Sequence, residues 1–158
     1  MRKRVYFYEF DQAGWPSPSG LQAYFLTLEG RKRAFSTDNN DSWGLSAEGV
    51  NGTEALPLHG GRVDIHLDII GNVEEGVLLQ YRKWGGGIKH TYYSKGDLTR
   101  LRDTVTTAHG DRMPLGLYVP FGTAWQAVKE FIEGDGCIPS SIEWIASEDL
   151  PKNAFPSR

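Results

Sequence analysis

The chain reads as an α+β protein, a mainly antiparallel sheet with one strong C-terminal helix and room for an N-terminal helix packed on it. Three observations carry that expectation. Val63, Ile65, Leu67 and Ile69 alternate with Asp64, His66 and Asp68, the period of a strand with one buried face. Gly71-Asn72-Val73-Glu74-Glu75 then leads into Val77-Leu78-Leu79-Gln80-Tyr81, so Arg62–Ile70 and Gly76–Lys83 form a β-hairpin. Ala124, Trp125, Val128, Phe131 and Ile132 recur at helical spacing, the apolar stripe of an amphipathic helix.

The remaining elements follow in order. Arg4–Phe10 is aromatic and β-rich enough for a strand, and its aromatics on both faces suit a central position. Trp15–Gly20, rich in Pro, Ser and Gly, is a loop. Leu21, Tyr24, Phe25 and Leu28 show helical spacing, with Gly30 as a stop and Arg31-Lys32-Arg33 suited to a helix C-terminus. The alternative is a strand entering a tight turn and returning over residues 33–36. Thr37–Gly61 has no period and reads as a long loop with room for one short strand. Trp84-Gly85-Gly86-Gly87 breaks the sheet pattern before Ile88–Tyr93 resumes it. Asp97–Leu101 is a single helical turn, and Pro114–Val119 a short strand. The main helix starts at Thr123, where Thr123 and Gln126 fit a capping box, and Gly134–Gly136 ends it with Pro139 enforcing the stop. Ser141–Ala146 is the last strand.

Composition sets the outer bounds. A length of 158 residues with 39% hydrophobic and 23% charged side chains is that of one globular domain, here taken as 1–158. No apolar run approaches a transmembrane span, and the basic start Met1-Arg2-Lys3-Arg4 is followed too soon by charge to be a signal peptide. A soluble, cytoplasmic chain is expected. The single cysteine, Cys137, excludes an internal disulfide and a cysteine zinc cluster, and its place before Ile138-Pro139 suggests a small buried residue.

Charge comes in blocks. Residues 1–33 are net positive, and 34–81 hold eight acids (Asp38, Asp41, Glu48, Glu54, Asp64, Asp68, Glu74, Glu75) against Arg62 alone. Residues 82–112 are positive again, and the rest is negative. An acidic middle fits a surface that meets a basic partner, or else a solvated loop and edge strand.

Few constellations carry chemistry. Asp64, His66 and Asp68 share one strand face, a set able to ligate a divalent cation, yet it is also what an exposed face requires. No metal and no cofactor is expected. Trp84, Tyr92 and Tyr93 lie among Arg82, Lys83, Lys89, His90 and Lys95, a pattern that can stack bases, although a pI near 5.8 argues against nucleic acid as the main partner. Gly85-Gly86-Gly87 lacks the Lys-Ser/Thr of a phosphate loop and reads as a bulge or tight turn. Ser94 and Cys137 have no His or Asp at a spacing that identifies a catalytic triad. No catalytic residue is assigned, and a non-enzymatic role is expected.

The stretch from Met113-Pro114 through Tyr118, Pro120, Ala124-Trp125 and Phe131, continuing into Gly136-Cys-Ile-Pro139 and Ile142-Glu143-Trp144, resembles the first-numbered immunity-protein family of bacterial polymorphic toxin systems. That family is often found beside deaminase toxins. The likeness spans roughly residues 76–150, includes Tyr92-Tyr93-Ser94-x-Gly96-Asp97, and is best over 113–151, whereas residues 1–60 add nothing to it. It implies a protein that binds and neutralises a toxin acting on nucleic acid, a deaminase or nuclease, by stoichiometric complex formation. The candidate contacts are Asp38, Asp41, Trp43, Glu48, Glu74 and Glu75, with Trp43 as an aromatic anchor. Two other readings stand beside this one: a small enzyme or ligand-binding domain with a pocket over the aromatic sheet, and a nucleic-acid module using residues 82–95. Neither a membrane nor direct nucleic-acid binding is expected under the leading reading.

Overall fold

A computed structural model describes residues 1–36 and 40–156. The strands are β1 (Arg2–Val5), β2 (Ser42–Glu48), β3 (Asp64–Asn72), β4 (Gly76–Gly85), β5 (Ile88–Ser94), β6 (Thr104–Thr106), β7 (Arg112–Pro114), β8 (Tyr118–Val119) and β9 (Trp144–Ala146). The helices are α1 (Pro18–Leu21), α2 (Ala23–Leu26), α3 (Leu28–Ala34) and α4 (Phe121–Glu133). The main sheet runs β1-β2-β3-β4-β5-β9 with every pair antiparallel, β8 pairs with β4, and β6-β7 make a small ribbon. The expected α+β architecture, with a mostly antiparallel sheet and a C-terminal helix, is present.

Alternation sorts the sheet into two faces. On the first, Trp43, Leu45 and Ala47 of β2 stand opposite Ile69, Leu67 and Ile65 of β3, which in turn face Leu79, Tyr81 and Lys83 of β4. The apolar members of this face form the main core with Phe25 from α2 and Ala124, Trp125, Val128 and Phe131 from α4. Phe25 packs its ring 5.4 Å from Trp125, and Trp15 sits 4.9 Å from Phe131. On the second face a smaller cluster, centred on Leu78, Leu117 and Tyr118, covers only the end that carries Ile70 and Tyr93.

Several elements differ from the sequence reading, each for a physical reason. Pairing of the first strand ends when the Tyr6 amide donates to the Gly44 carbonyl, and the chain then turns, with Phe10 N–H donating to Phe7. Phe7 drops into the core against Tyr24 and Trp43, so the aromatics of residues 6–10 mark a wedge rather than a central strand. β1 is in fact the sheet edge. Residues 42–48, in a stretch read as a long loop with room for one short strand, are a seven-residue inner strand whose Ser and Gly content hid its apolar alternation. Gly44 is required there, because a Cβ would lie 2.8 Å from His66 Nε2 and 2.9 Å from the Leu67 carbonyl oxygen.

Gly30 does not stop a helix. It is buried inside α3, where a Cβ would meet the Ala23 carbonyl oxygen at 2.0 Å, and it lets α3 cross α2 closely. The start of α3 is capped by Thr27, whose Oγ1 accepts from Gly30 N–H, and Arg31-Lys32-Arg33 fill its last turn. α4 begins two residues before Thr123 with Pro120 at its N-cap and no side-chain cap bond, so the Thr123–Gln126 capping box does not form. Pro114–Val119 splits into the end of β7, a 3₁₀ turn at Leu115–Leu117, and β8. Gly86 and Gly87, with φ of 57° and 84°, make the two-residue hairpin turn between β4 and β5. Gly85 lies so close to the Arg62 carbonyl oxygen that a Cβ would be 1.9 Å from it. The tight turn expected of the glycine triplet is there.

Candidate partner-binding face

The second face of the sheet is laid out in cross-strand rows. One row holds Arg2, Glu48, Asp64, Trp84 and Lys89, and the next holds Arg4, Ser46, His66, Arg82 and Thr91. A third continues through Gly44, Asp68, Gln80, Tyr93 and Ile145, with Tyr6 over Gly44. The face is charged at one end and grades into the apolar cluster at the other. No helix packs on the charged end among the described residues.

Its side chains are chained together from Tyr6, just past β1, across β2, β3 and β4. Tyr6, 49% exposed, stacks on His66 at 5.5 Å, and its hydroxyl lies 3.4 Å from Ser46 Oγ. His66 Nε2 meets Asp68 Oδ1 at 2.9 Å, and the other Asp68 oxygen takes Arg82 at 3.1 Å. The Arg82 guanidinium in turn lies 5.5 Å from the Trp84 ring centre, and its Nε–H, buried, has no acceptor. Asp64 is buried at the head of β3, where it accepts from Gly49 N–H and from Arg62 Nε and Nη2 at 2.9 to 3.0 Å. Asp64 was expected to face solvent. Its fixed partners show instead that it anchors the 49–62 loop. Among the described residues no three His, Cys, Asp or Glu side chains converge as a cation would require.

The candidate contacts scatter. Asp38 lies outside the described residues. Trp43 is core, 4% exposed and packed on Phe7 at 4.6 Å, so no partner reaches it as an anchor. Asp41 is 2% exposed. Its Oδ2 accepts from Ala108 N–H at 2.8 Å and its Oδ1 has no partner, and burial raises its pKa, opposed by the backbone bond. It ties β2 to the β6–β7 turn. Glu48 is half-buried and 3.8 Å from Arg62, Glu75 is 3.8 Å from Arg100, and Glu74 is exposed. Glu74 and Glu75 sit beyond the far end of β3 from Glu48, roughly 25 Å away at about 3.3 Å per residue. The acidic middle is thus not one surface.

The other sequence candidates are also placed. Ser94 is buried and structural, accepting from Leu79 N–H and donating to the Leu117 carbonyl. Cys137 is exposed, not buried. The inward position belongs to Gly136, where a Cβ would fall 2.0 Å from Ile65 Cδ1 and whose carbonyl accepts from Tyr81 Oη. Burial pushes that Tyr81 phenol up to about 12. Over the aromatic sheet, Phe25 of α2 and Ala124, Trp125, Val128 and Phe131 of α4 pack against the strands. A shallow groove of about 520 Å³ runs between Leu58–Gly61 and the Trp84–Gly87 turn. No described helix is long and apolar enough to cross a membrane. The sequence missed the charged rows because their members are spread over five strands, and only the register brings them together.

The chain is thus an α+β protein with a helix-covered aromatic core and a charged sheet face on the other side. The family model for immunity protein Imm1 matches residues 28–146, about three-quarters of the chain. No curated protein and no solved structure shows significant similarity to it. The chain belongs to the Imm1 family of immunity proteins. It is accordingly a toxin-neutralising immunity protein, with a toxin protein as its partner.

Proposed function

We propose that the chain neutralises a bacterial toxin domain that acts on nucleic acid, a deaminase or a nuclease, by forming a stoichiometric complex with it in the cytoplasm. The observation that supports this most is the family match, which takes in the inner strands, β9 and α4 rather than a local motif. A binding role also suits a molecule in which two of the buried polar side chains, Asp64 and Ser94, are held by structural partners. Such a protein needs no turnover, because one tight complex per toxin molecule suffices.

The test is co-expression with the toxin encoded beside it, followed by titration of the purified pair. Growth is rescued, the two proteins co-elute, and deaminase or nuclease activity falls to zero at one equivalent. Inhibition at far below one equivalent would indicate catalysis instead, and a toxin without activity on nucleic acid would correct the partner class.

A further inference from the structure

We propose that the charged, uncovered half of the second sheet face is the surface that takes the toxin, and that the toxin segment seated there carries carboxylates beside an aromatic or aliphatic side chain. The inference rests on the immunity reading and deepens it.

The charge on this face decides the kind of partner. Its acids are already committed: Asp64 and Glu48 to Arg62, and Asp68 to His66 and Arg82. Its cations are not. Arg2, Arg4 and Lys89 occupy the two charged rows and form no ion pair among the described residues, so the face presents net positive charge despite the acidic sequence block beneath it. Arg82 adds a guanidinium whose Nε–H lacks an acceptor, which a carboxylate arriving there supplies once the side chain turns. Between these cations stand the Tyr6 and Trp84 rings, and beside Trp84 the groove rim offers Leu58, 47% exposed. Aromatic rings flanked by arginine are the side-chain types that concentrate binding energy at interfaces. The strands below fix the backbone of these groups in rows, while the unpaired Arg2, Arg4 and Lys89 side chains are ordered only on binding.

Surface charge of this sort acts on association more than on dissociation. The experiment therefore measures binding kinetics of the full chain against a catalytically inactive form of the neighbour-encoded toxin domain at low and moderate salt. The variants are an Arg4→Glu/Lys89→Glu pair, Tyr6→Ala, and Glu74→Lys on the opposite turn, each checked for an unchanged melting curve. The double reversal is expected to slow association about tenfold at low salt and flatten its salt dependence. Tyr6→Ala speeds dissociation, and Glu74→Lys stays within about twofold of the parent in both rates. If the double reversal leaves the on-rate unchanged while Glu74→Lys impairs it, the surface is the acidic turn and the proposal is overturned. Failure of the unaltered chain to bind or protect would overturn the immunity reading itself.

Discussion

Glu130 stands on the solvent side of α4, where a sequence shows only an exposed helix charge beside Glu133. Its carboxylate in fact accepts from Ser140 N–H and Oγ–H at 2.6 and 2.7 Å and from Ser141 N–H at 3.0 Å, pinning the turn that leads to β9. Those donors, led by the Ser140 amide, hold its pKa down at about 2, against 4.5 ordinarily. A depressed carboxylate stabilises the fold above the unfolded-state pKa and loses that contribution as pH falls through the folded value. Glu130→Gln should therefore lower the melting temperature at pH 7, with the gap to the parent closing between about pH 4.5 and pH 2. A gap that stays constant over that range would refute the role. Asp41 behaves in the opposite sense. Its pKa is raised by burial, so ionisation opposes folding as pH rises through the raised value. Asp41→Asn keeps an acceptor for the Ala108 amide and removes the buried charge. Urea melts should find it at least as stable as the parent at pH 7, with the advantage shrinking on acidification. Asp41→Ala, which cuts the tie, should lose about 1–3 kcal/mol.

Among elements, those with a clean period were legible. The β3–β4 hairpin and α4 follow from alternation and from a single apolar stripe, because each buries one face against one neighbour. α4 puts Trp125, Val128 and Phe131 into the core, so Trp125→Ala should cost about 3–5 kcal/mol, with a loss below about 1 kcal/mol in denaturant melts showing that the face is not core. β2 and α3 were harder to see, because their decisive residues are glycines selected by a close approach from another element. Gly44 makes room for His66, and Gly30 for the Ala23 carbonyl. In an open helix, Gly→Ala gains about 1 kcal/mol. Gly30→Ala should instead destabilise by about 1–3 kcal/mol, since the added methyl has nowhere to go unless α2 and α3 separate. The candidate site was legible only as residue types: the stretch 82–95 showed its aromatics and bases, but not that Tyr6 and Arg4 join them across β2 and β3.

At the scale of the molecule, the charge blocks of the sequence are explained by the strand order. The basic N-terminal block supplies β1 and the end of α3, the acidic middle supplies β2 and β3, and the basic block that follows supplies the end of β4 and β5, so opposite charges become neighbours when the sheet forms. Met1 reaches Glu54, Arg62 bridges Glu48 and Asp64, Arg82 holds Asp68, and Arg100 approaches Glu75. Cross-strand pairing of this kind specifies register, since like charges placed opposite would repel. It also bears on the one arrangement that could have bound a metal. Asp64, His66 and Asp68 do share a face, but the Asp64 carboxylate is filled by Arg62 and the Gly49 amide, and Asp68 by His66 and Arg82. A divalent cation would have to displace two guanidinium groups and then sit beside them. Exhaustive chelation should accordingly leave the melting temperature unchanged, and added zinc, manganese or calcium should not raise it. A drop of several degrees on chelation, restored by one specific cation, would mean that the arginines yield to a metal and that the charged face is a coordination site before it is a docking surface.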